Sequence, residues 1–589
     1  MNILHELHRR FAAALSGMVD SPADLLSQVR ASQDPKFGDY QANCAMPLGK
    51  RLGKPPREIA KEIVARLDVA GLCEPPEIAG PGFINLRLKT DWLEQQAAAA
   101  SVDARLGVPM VEKPHTYIVD YSAPNVAKPM HVGHIRSTVI GDCLYRTLNF
   151  AGHKAISDNH LGDWGTQFGM IIYGYKSQEI RDKVKASGAA EKLGEFGALY
   201  AFVNRLGEEN PKIREAVLSE TAKLHGGDEE NLRLWNEIRQ QCESDIERIY
   251  KRLGVKFDEQ LGESFYHDRL AAVVDNLVNK GIARESDGAI GVFLDGYETP
   301  FLIRKQDGAF LYATTDLATI AYRMDRWHPD AILYVVDHRQ SLHFVQLFAT
   351  ARKWHPEWSS VEFKHISFGT VLGKDGKPFK TRSGETIGLD DLLGLAEVKA
   401  LGIVKENDDA KPNGPELTKT ERIDVARKVG IGAIKYADLS QSRTTDYVFD
   451  YDKMLAMNGN TATYMQYAHA RVRGIFIKGQ KQLGDSGEMA RPAGPQTISL
   501  LHPAERALAL AALQLSEAID LVLADYRPNQ LTSYLFELAN RFSTFYENCP
   551  VLKAETPELL QSRLALCDLT AKVLRQGLEL LGIEVVERM

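Results

Sequence analysis

Between Thr116 and Gly152 the apolar pattern of the chain changes period, and this change constrains the fold more than any other feature. TYIVDYS (Thr116–Ser122) is short and rich in β-branched and aromatic residues, the pattern of a strand. IRSTVIGDCLYRTLNFAG (Ile135–Gly152) carries helical spacing and closes on a glycine. The loop between them reads PNVAKPMHVGH (Pro124–His134). A strand that feeds a helix through a loop is the unit of a parallel sheet, and such a sheet needs further units beside it. A second half follows. It contains strand-like GAIGVFLDG, the turn dipeptide in KQDGAFLY and the helix candidate TTDLATIAYRM. The strand ILYVVD, the helix candidate SLHFVQLFATARKW and the strand VEFKHISFGTVL complete it. Charged, helix-periodic sequence such as EENLRLWNEIRQQCESDIERIYKRL separates the halves. The prediction is a doubly wound nucleotide-binding domain over 111–450, with a helical insertion at about 176–285.

The flanks read differently. Residues 1–110 form a small α+β unit that opens on a helix with Leu4, Leu7, Phe11 and Leu15 on one face and holds a strand, IAGPGFINLRL, near its end. Residues 451–589 are almost entirely helix-periodic, as in ERALALAALQLSEAIDLVL, and predict an all-α bundle. KENDDAKPNGPELTKT (405–420) reads as a surface loop. The length of 589 residues fits about three domains. No apolar run reaches spanning length, and the N-terminus lacks a signal-peptide core, so a cytoplasmic protein with no membrane partner is expected. Six scattered cysteines predict neither a zinc site nor a disulfide framework. The net charge of −7 leaves nucleic-acid binding to a local basic face.

At the carboxyl end of a strand, where a helix opens, backbone N–H groups and the helix dipole make an anion site. Gly133 lets a flat ring approach the backbone, and His131 and His134 can both face one ligand. Lys128 adds a cation on the same loop. A nucleoside triphosphate attacked at phosphorus fits this set, although an HxxH pair also serves metals and wants a third ligand for that. The Gly-rich loop LGKDGKPFKTRSGETI (Leu372–Ile387) offers Lys374, Lys377, Lys380 and Arg382 after a strand, as a phosphate clamp or as a solvated basic turn.

VDYSAPNVAKPMHVGH, HLGDWGTQFG, LYATTDLA, YVVDHRQSLHF, GKPFKTRSG, GIGAIKYADL and the final ERM together resemble the bacterial-type arginyl-tRNA synthetases, a family of class I aminoacyl-tRNA synthetases, nearly end to end. The resemblance implies an N-terminal domain that touches the tRNA elbow, a Rossmann catalytic domain and a helical anticodon-binding domain. It implies arginine activation by ATP with Mg2+, no tightly bound protein metal, transfer to tRNA(Arg), and a monomer. It implies His131, His134, Lys128 and Lys380 as catalytic residues. His131, Gly133, His134, Phe368, Gly369, Val371, Lys377 and Lys380 would bind ATP. KPFKTRSG departs from the KMSK pattern of the class, and Lys128 is thought to replace the missing charge.

By the same resemblance Asp120, Asn125, Tyr312, Asp316 and Gln340 hold the arginine. From the residues alone, Asp316 in TTDLA reads as a helix cap and Asp120 as a strand-end carboxylate. The resemblance places Phe83 and Asn85 at the tRNA elbow, and Tyr464, Tyr467 and Arg471 on an anticodon-facing helix with Met589 nearby. A core residue for Phe83 and a core stripe for the tyrosines are the plain alternatives. Two other functions share these motifs: an RNA-binding protein that has lost catalysis, and a small-molecule adenylyl transferase, against which the helical C-terminal third argues.

Overall fold

A computed structural model describes residues 1–379, 387–412, 414–483 and 497–589. They pack as two compact units, one of Val111–Leu455 with Leu580–Ile583, the other of Met1–Met110 with Ala456–Glu579 and Glu584–Met589.

The first unit is built on a four-stranded, all-parallel sheet. Its strands are β1 (Thr116–Asp120), β2 (Lys154–Asp158), β3 (Ala331–Tyr334) and β4 (Glu362–His365), in the order β4-β3-β1-β2. Helix α1 (Ile135–Ala151) joins β1 to β2, α2 (Tyr312–Trp327) leads into β3, and α3 (Ser341–Trp354) joins β3 to β4. In β1, Ile118 and Val119 are fully buried, as a strand covered on both faces requires. Each such side chain contributes about 1.5–3 kcal/mol of burial. Helix α1 is buried nearly all round, and a Cβ on Gly141 would lie 2.1 Å from the Tyr121 ring, so only glycine lets α1 pack this closely.

The insertion is helical from Thr166 to Leu253, earlier at both ends than the sequence pattern marks. GAIGVFLDG does not join the parallel sheet. Ala283–Ser286, Ala289–Val292 and Phe301–Arg304 form their own antiparallel sheet. Its first hairpin turns on Asp287 and Gly288, both at positive φ, the geometry that an Asp-Gly turn supplies. VEFKHISFGTVL also divides: Glu362–His365 enters the main sheet and Val371–Leu372 pairs in parallel with Tyr447–Val448. The expected loop at 405–420 is partly helical, because Leu389–Asp409 runs into it and Thr418 caps Lys419–Leu439 in a capping box with Glu421.

The second unit pairs a four-stranded antiparallel sheet with helices. IAGPGFINLRL is two strands rather than one, since Gly80 and Gly82 turn Glu77–Ala79 back onto Phe83–Leu86. The first helix, Ile3–Leu15, buries Ile3, Leu7, Phe11, Ala14 and Leu15. The C-terminal segments Ala462–Leu483, Pro503–Leu513, Leu515–Ala524, Asn529–Asn548 and Pro557–Leu580 are all helices. Arg506 from them holds Asp39 through two bonds of 2.8 and 2.7 Å. Among the described residues no single helix is long and apolar enough to cross a membrane.

Candidate active site

Asp120 at the end of β1 lies in register with Tyr334 at the end of β3. From there the connections leave toward opposite edges of the sheet, so the crevice between these two strand ends is the switch point. Beyond β1 the backbone turns through Ser122 (φ 72°) and Ala123 (φ 44°), two successive non-glycine residues in the left-handed region. Such residues cost about 1–3 kcal/mol each and persist where surrounding bonds fix them. Here the Ser122 N–H donates to Ser137 Oγ at 2.8 Å and the Ala123 N–H to Asn159 Oδ1 at 3.1 Å. The bend throws Pro124–Val126 against Gly162, with N–H to O distances of 3.1 and 3.0 Å.

His131 then caps a single 3-10 turn, Val132–His134, that opens α1. The Nδ1 of His131 accepts the Gly133 N–H at 3.1 Å, and the Nδ1 of His134 accepts the His131 N–H at 3.1 Å. Both rings therefore carry their proton on Nε2. Burial, then Lys128, lowers the pKa of His131, and burial pushes His134 down to about 3. The pair is neutral and presents two Nε2–H donors, with ring centroids 4.1 Å apart. A Cβ on Gly133 would lie 2.8 Å from His131 Cε1 and 2.9 Å from Nδ1, so the glycine serves the His131 ring as well as any ligand above it.

The basic loop returns to the signature itself. The Val132 N–H donates to Ile387 O at 3.1 Å, and the Leu389 N–H to Met130 O at 2.9 Å. On its outgoing side Phe379 stacks on Phe449 at 4.8 Å and Lys374 pairs with Asp450 at 3.1 Å, while Lys377 is exposed. Lys380 and Arg382 lie outside the described residues. Phe368 O accepts the His338 N–H at 3.1 Å, and a Cβ on Gly369 would lie 2.6 Å from Asp446, so this strand-end backbone is tightly held. Val371 is buried in the pairing with Tyr447. The Lys128 ammonium sits 5.0 Å from the Tyr200 ring of the helical insertion, and its charge is felt by both signature histidines.

The five arginine candidates come from three places at the carboxyl edge: the β1 loop, the first turns of α2, and the turn after β3. Tyr312 is 66 % exposed, and Gln340 is exposed just before α3. Asn125 uses its Oδ1 to accept the Ala127 N–H at 3.1 Å. Asp316 is no helix cap. The cap position of α2 is Leu311, and Asp316 lies five residues in, beyond reach of the free N–H groups. Its Oδ2 instead accepts His343 Nε2 at 2.6 Å. Asp120 needs a correction, because it is not a free strand-end carboxylate. Its Oδ2 is held by Arg323 at 2.6 Å, and Arg323 also binds Asp158 at 2.8 Å, all three being buried. Burial raises the pKa of Asp120 and Arg323 opposes the rise.

Sequence reasoning passed over Arg323, His343 and Glu263. Arg323 and His343 lie within helix-periodic runs that gave no reason to single them out. Glu263, in LGESF, is partly buried, and burial, then Asp163 and Asp316, push its carboxyl up to about 8. Burial and like charges disfavour its ionised form, and a cation brought among these carboxyls would favour it. A cavity of about 570 Å³ adjoins it, lined by Asp163, Trp164, His225, Trp235 and His267. HLGDWG thus supplies a wall: Trp164 stacks on His225 at 5.1 Å, and Asp163 accepts Ser264 Oγ at 2.6 Å.

In the other unit, Phe83 is partly buried and packs near Gly80. Asn85, on the same strand face, is only 7 % exposed, and its Oδ1 accepts Gln41 Nε2 at 2.8 Å. Tyr464 bonds Asn540 at 3.2 Å, Tyr467 is exposed, and the Arg471 guanidinium lies 4.1 Å from the Tyr546 ring. The tail ending at Met589 is pinned to the same helix through His469 to Val586 O at 2.9 Å and Gln466 to Glu584 O at 2.7 Å.

Three family models cover the chain: tRNA synthetases class I (R), catalytic domain, over 97–451; DALR anticodon binding domain over 465–589; and Arginyl tRNA synthetase N terminal domain over 5–88. The arginine–tRNA ligase of Rhodopirellula baltica is 46% identical, with 100% of each chain covered. That of Cellvibrio japonicus is 44% identical, also over 100% of each. The crystal structure of arginyl-tRNA synthetase from Plasmodium falciparum superposes with a TM-score of 0.82 at 26% identity, covering 100% of this chain and 99% of that one. A neutral two-histidine signature at a parallel-sheet switch point, a basic loop stitched to it, and matches that run from end to end place this chain in the arginyl-tRNA synthetase family of class I.

Proposed function

We infer that the protein is an arginine–tRNA ligase working in two steps. In the first, a carboxylate oxygen of arginine attacks the α-phosphorus of ATP, and the bond to the bridging oxygen breaks as pyrophosphate leaves. In the second, the 2′-hydroxyl oxygen of the terminal adenosine of tRNA(Arg) attacks the activated carbonyl, AMP departs and the hydroxyl proton is released. The observation that carries this reading is the pair of Nε2–H donors opening α1 beside the returning basic loop. Neutral donors fixed before ATP arrives stabilise charge that develops on phosphate oxygens without reorganising. Lys128, Lys377 and Lys380 supply cations for the phosphates, and Mg2+ entering with ATP would add further positive charge there.

Arginine lies with its guanidinium toward Asp316, Tyr312 and Glu263, and with its α-amino and carboxylate toward Asn125, Gln340 and the Asp120 edge. Asp120 acts with the Arg323–Asp158 pair behind it. Residues 1–110 meet the tRNA elbow through Phe83 and the Asn85 amide, and residues 451–589 read the anticodon through Tyr464, Tyr467 and Arg471, with Met589 close by. The enzyme works as a cytoplasmic monomer. ATP–pyrophosphate exchange tests the reading: exchange with arginine and tRNA(Arg), and none with lysine, is the expected result. Exchange that ignores the amino acid would overturn it.

A further inference from the structure

Asp316 stands in the second turn of α2, where no backbone donor fixes its carboxylate. Its orientation comes from a neighbouring helix. His343, the third residue of α3, reaches Asp316 Oδ2 with Nε2 at 2.6 Å. The imidazole is itself wedged, 5.5 Å from the Phe301 ring of the antiparallel sheet and 5.4 Å from Phe344. Both side chains keep about a quarter of their surface open, 26% for His343 and 24% for Asp316, so the pair borders the crevice rather than the core.

We propose that His343 is a positioning residue for arginine recognition: its Nε2–H holds one oxygen of Asp316 and turns the other toward the substrate guanidinium. The inference rests on Asp316 facing arginine. A guanidinium is a planar fork whose bonds to a carboxylate depend on the angle of the carboxylate plane. An aspartate that is free to rotate offers that plane only part of the time. One donor on Oδ2 fixes the plane and leaves Oδ1, and a second lone pair on Oδ2, for the ligand. The Phe301 and Phe344 rings keep the donor in place.

The experiment compares H343F, H343L and H343Q in arginine-dependent ATP–pyrophosphate exchange with tRNA(Arg) present, alongside D316N. Phenylalanine keeps the ring packing and loses the donor, whereas glutamine sets an amide N–H near the place of Nε2. H343F is expected to raise the arginine KM roughly 10- to 150-fold, the worth of a hydrogen bond to a charged group. The ATP KM should stay within about twofold and H343Q within about threefold of the parent. In a D316N background, H343F should add nothing further to the arginine KM. An unchanged arginine KM in H343F, an equal rise in both KM values, or an H343Q variant as weak as H343F would overturn the proposal. H343L replaces H343F if the latter does not fold, and failure of both to fold while H343Q folds would show that the bond serves the fold alone. If D316N itself leaves the arginine KM unchanged, the arginine reading of Asp316 fails, whatever His343 does.

Discussion

A neutral imidazole donates through the nitrogen that keeps its proton, and in this site the backbone makes that choice by occupying both Nδ1 atoms. Replacing His131 or His134 by alanine should each lower the rate of arginine activation by roughly 10²–10³-fold, with tRNA affinity nearly intact. Single-turnover activation and filter binding measure the two, and parallel loss of both would assign the histidines to the fold. Because burial holds His134 at about 3, its ring does not change charge in any ordinary assay buffer. Glu263 behaves in the opposite sense. Its folded pKa, about 8, lies above the unfolded value of 4.5, so the stability it contributes is complete below 4.5 and is lost as pH rises through 8. Glu263→Gln should therefore raise Tm relative to the parent at pH 9 and have little effect at pH 4. Arginine binding near pH 7 should release a proton from the parent and none from Glu263→Gln, which calorimetry in two buffers of different ionisation enthalpy detects. Equal proton release from both proteins would remove Glu263 from the guanidinium site.

At the scale of elements, the junction of β1 and α1 does two jobs. It ends a buried strand, and it bends through two strained residues to carry the signature outward. Gly133 shows how little room the turn has, since an added methyl meets the His131 ring at 2.8 Å. Gly133→Ala should push that ring aside and slow activation about tenfold or more, because a donor moved by an ångström no longer meets the transition state. The overall fold should survive, because Gly133 is exposed and its φ needs no left-handed conformation. Circular dichroism with exchange kinetics separates the outcomes, and a fully active alanine variant would show that the ring has slack. The same junction explains which parts of the site were legible beforehand. His131, Gly133, His134 and Lys128 form one local run whose position follows from the switch of period around it. That GAIGVFLDG pairs in a separate antiparallel sheet is not legible in the sequence, because a short apolar strand carries no record of its partner.

For the whole molecule, the basic loop departs from KMSK and the Lys128 ammonium rests against Tyr200 of the helical insertion, from which we predict that ATP and arginine alone do not gather the phosphate cations. Arginine-dependent exchange is expected to need tRNA(Arg), whose binding energy would complete the site. Robust exchange in its complete absence would end this idea. The two-unit packing adds something that no segment shows by itself: residues 1–110 and the C-terminal helices share one unit, tied by Arg506 to Asp39 across 467 positions. The sequence by itself determined the α/β halves, the insertion, the helical C-terminal third and the signature loop. Backbone hydrogen bonding and one-sided burial imprint a period on every local stretch, and a period can be read without knowing the partner. Tertiary structure alone decided that Asp120 answers to Arg323, 203 positions away, that Asp316 takes its orientation from His343, and that Glu263 stands beside them. Charges meet across helices and strands that distant parts of the chain supply, and such a meeting leaves no periodic trace in either partner.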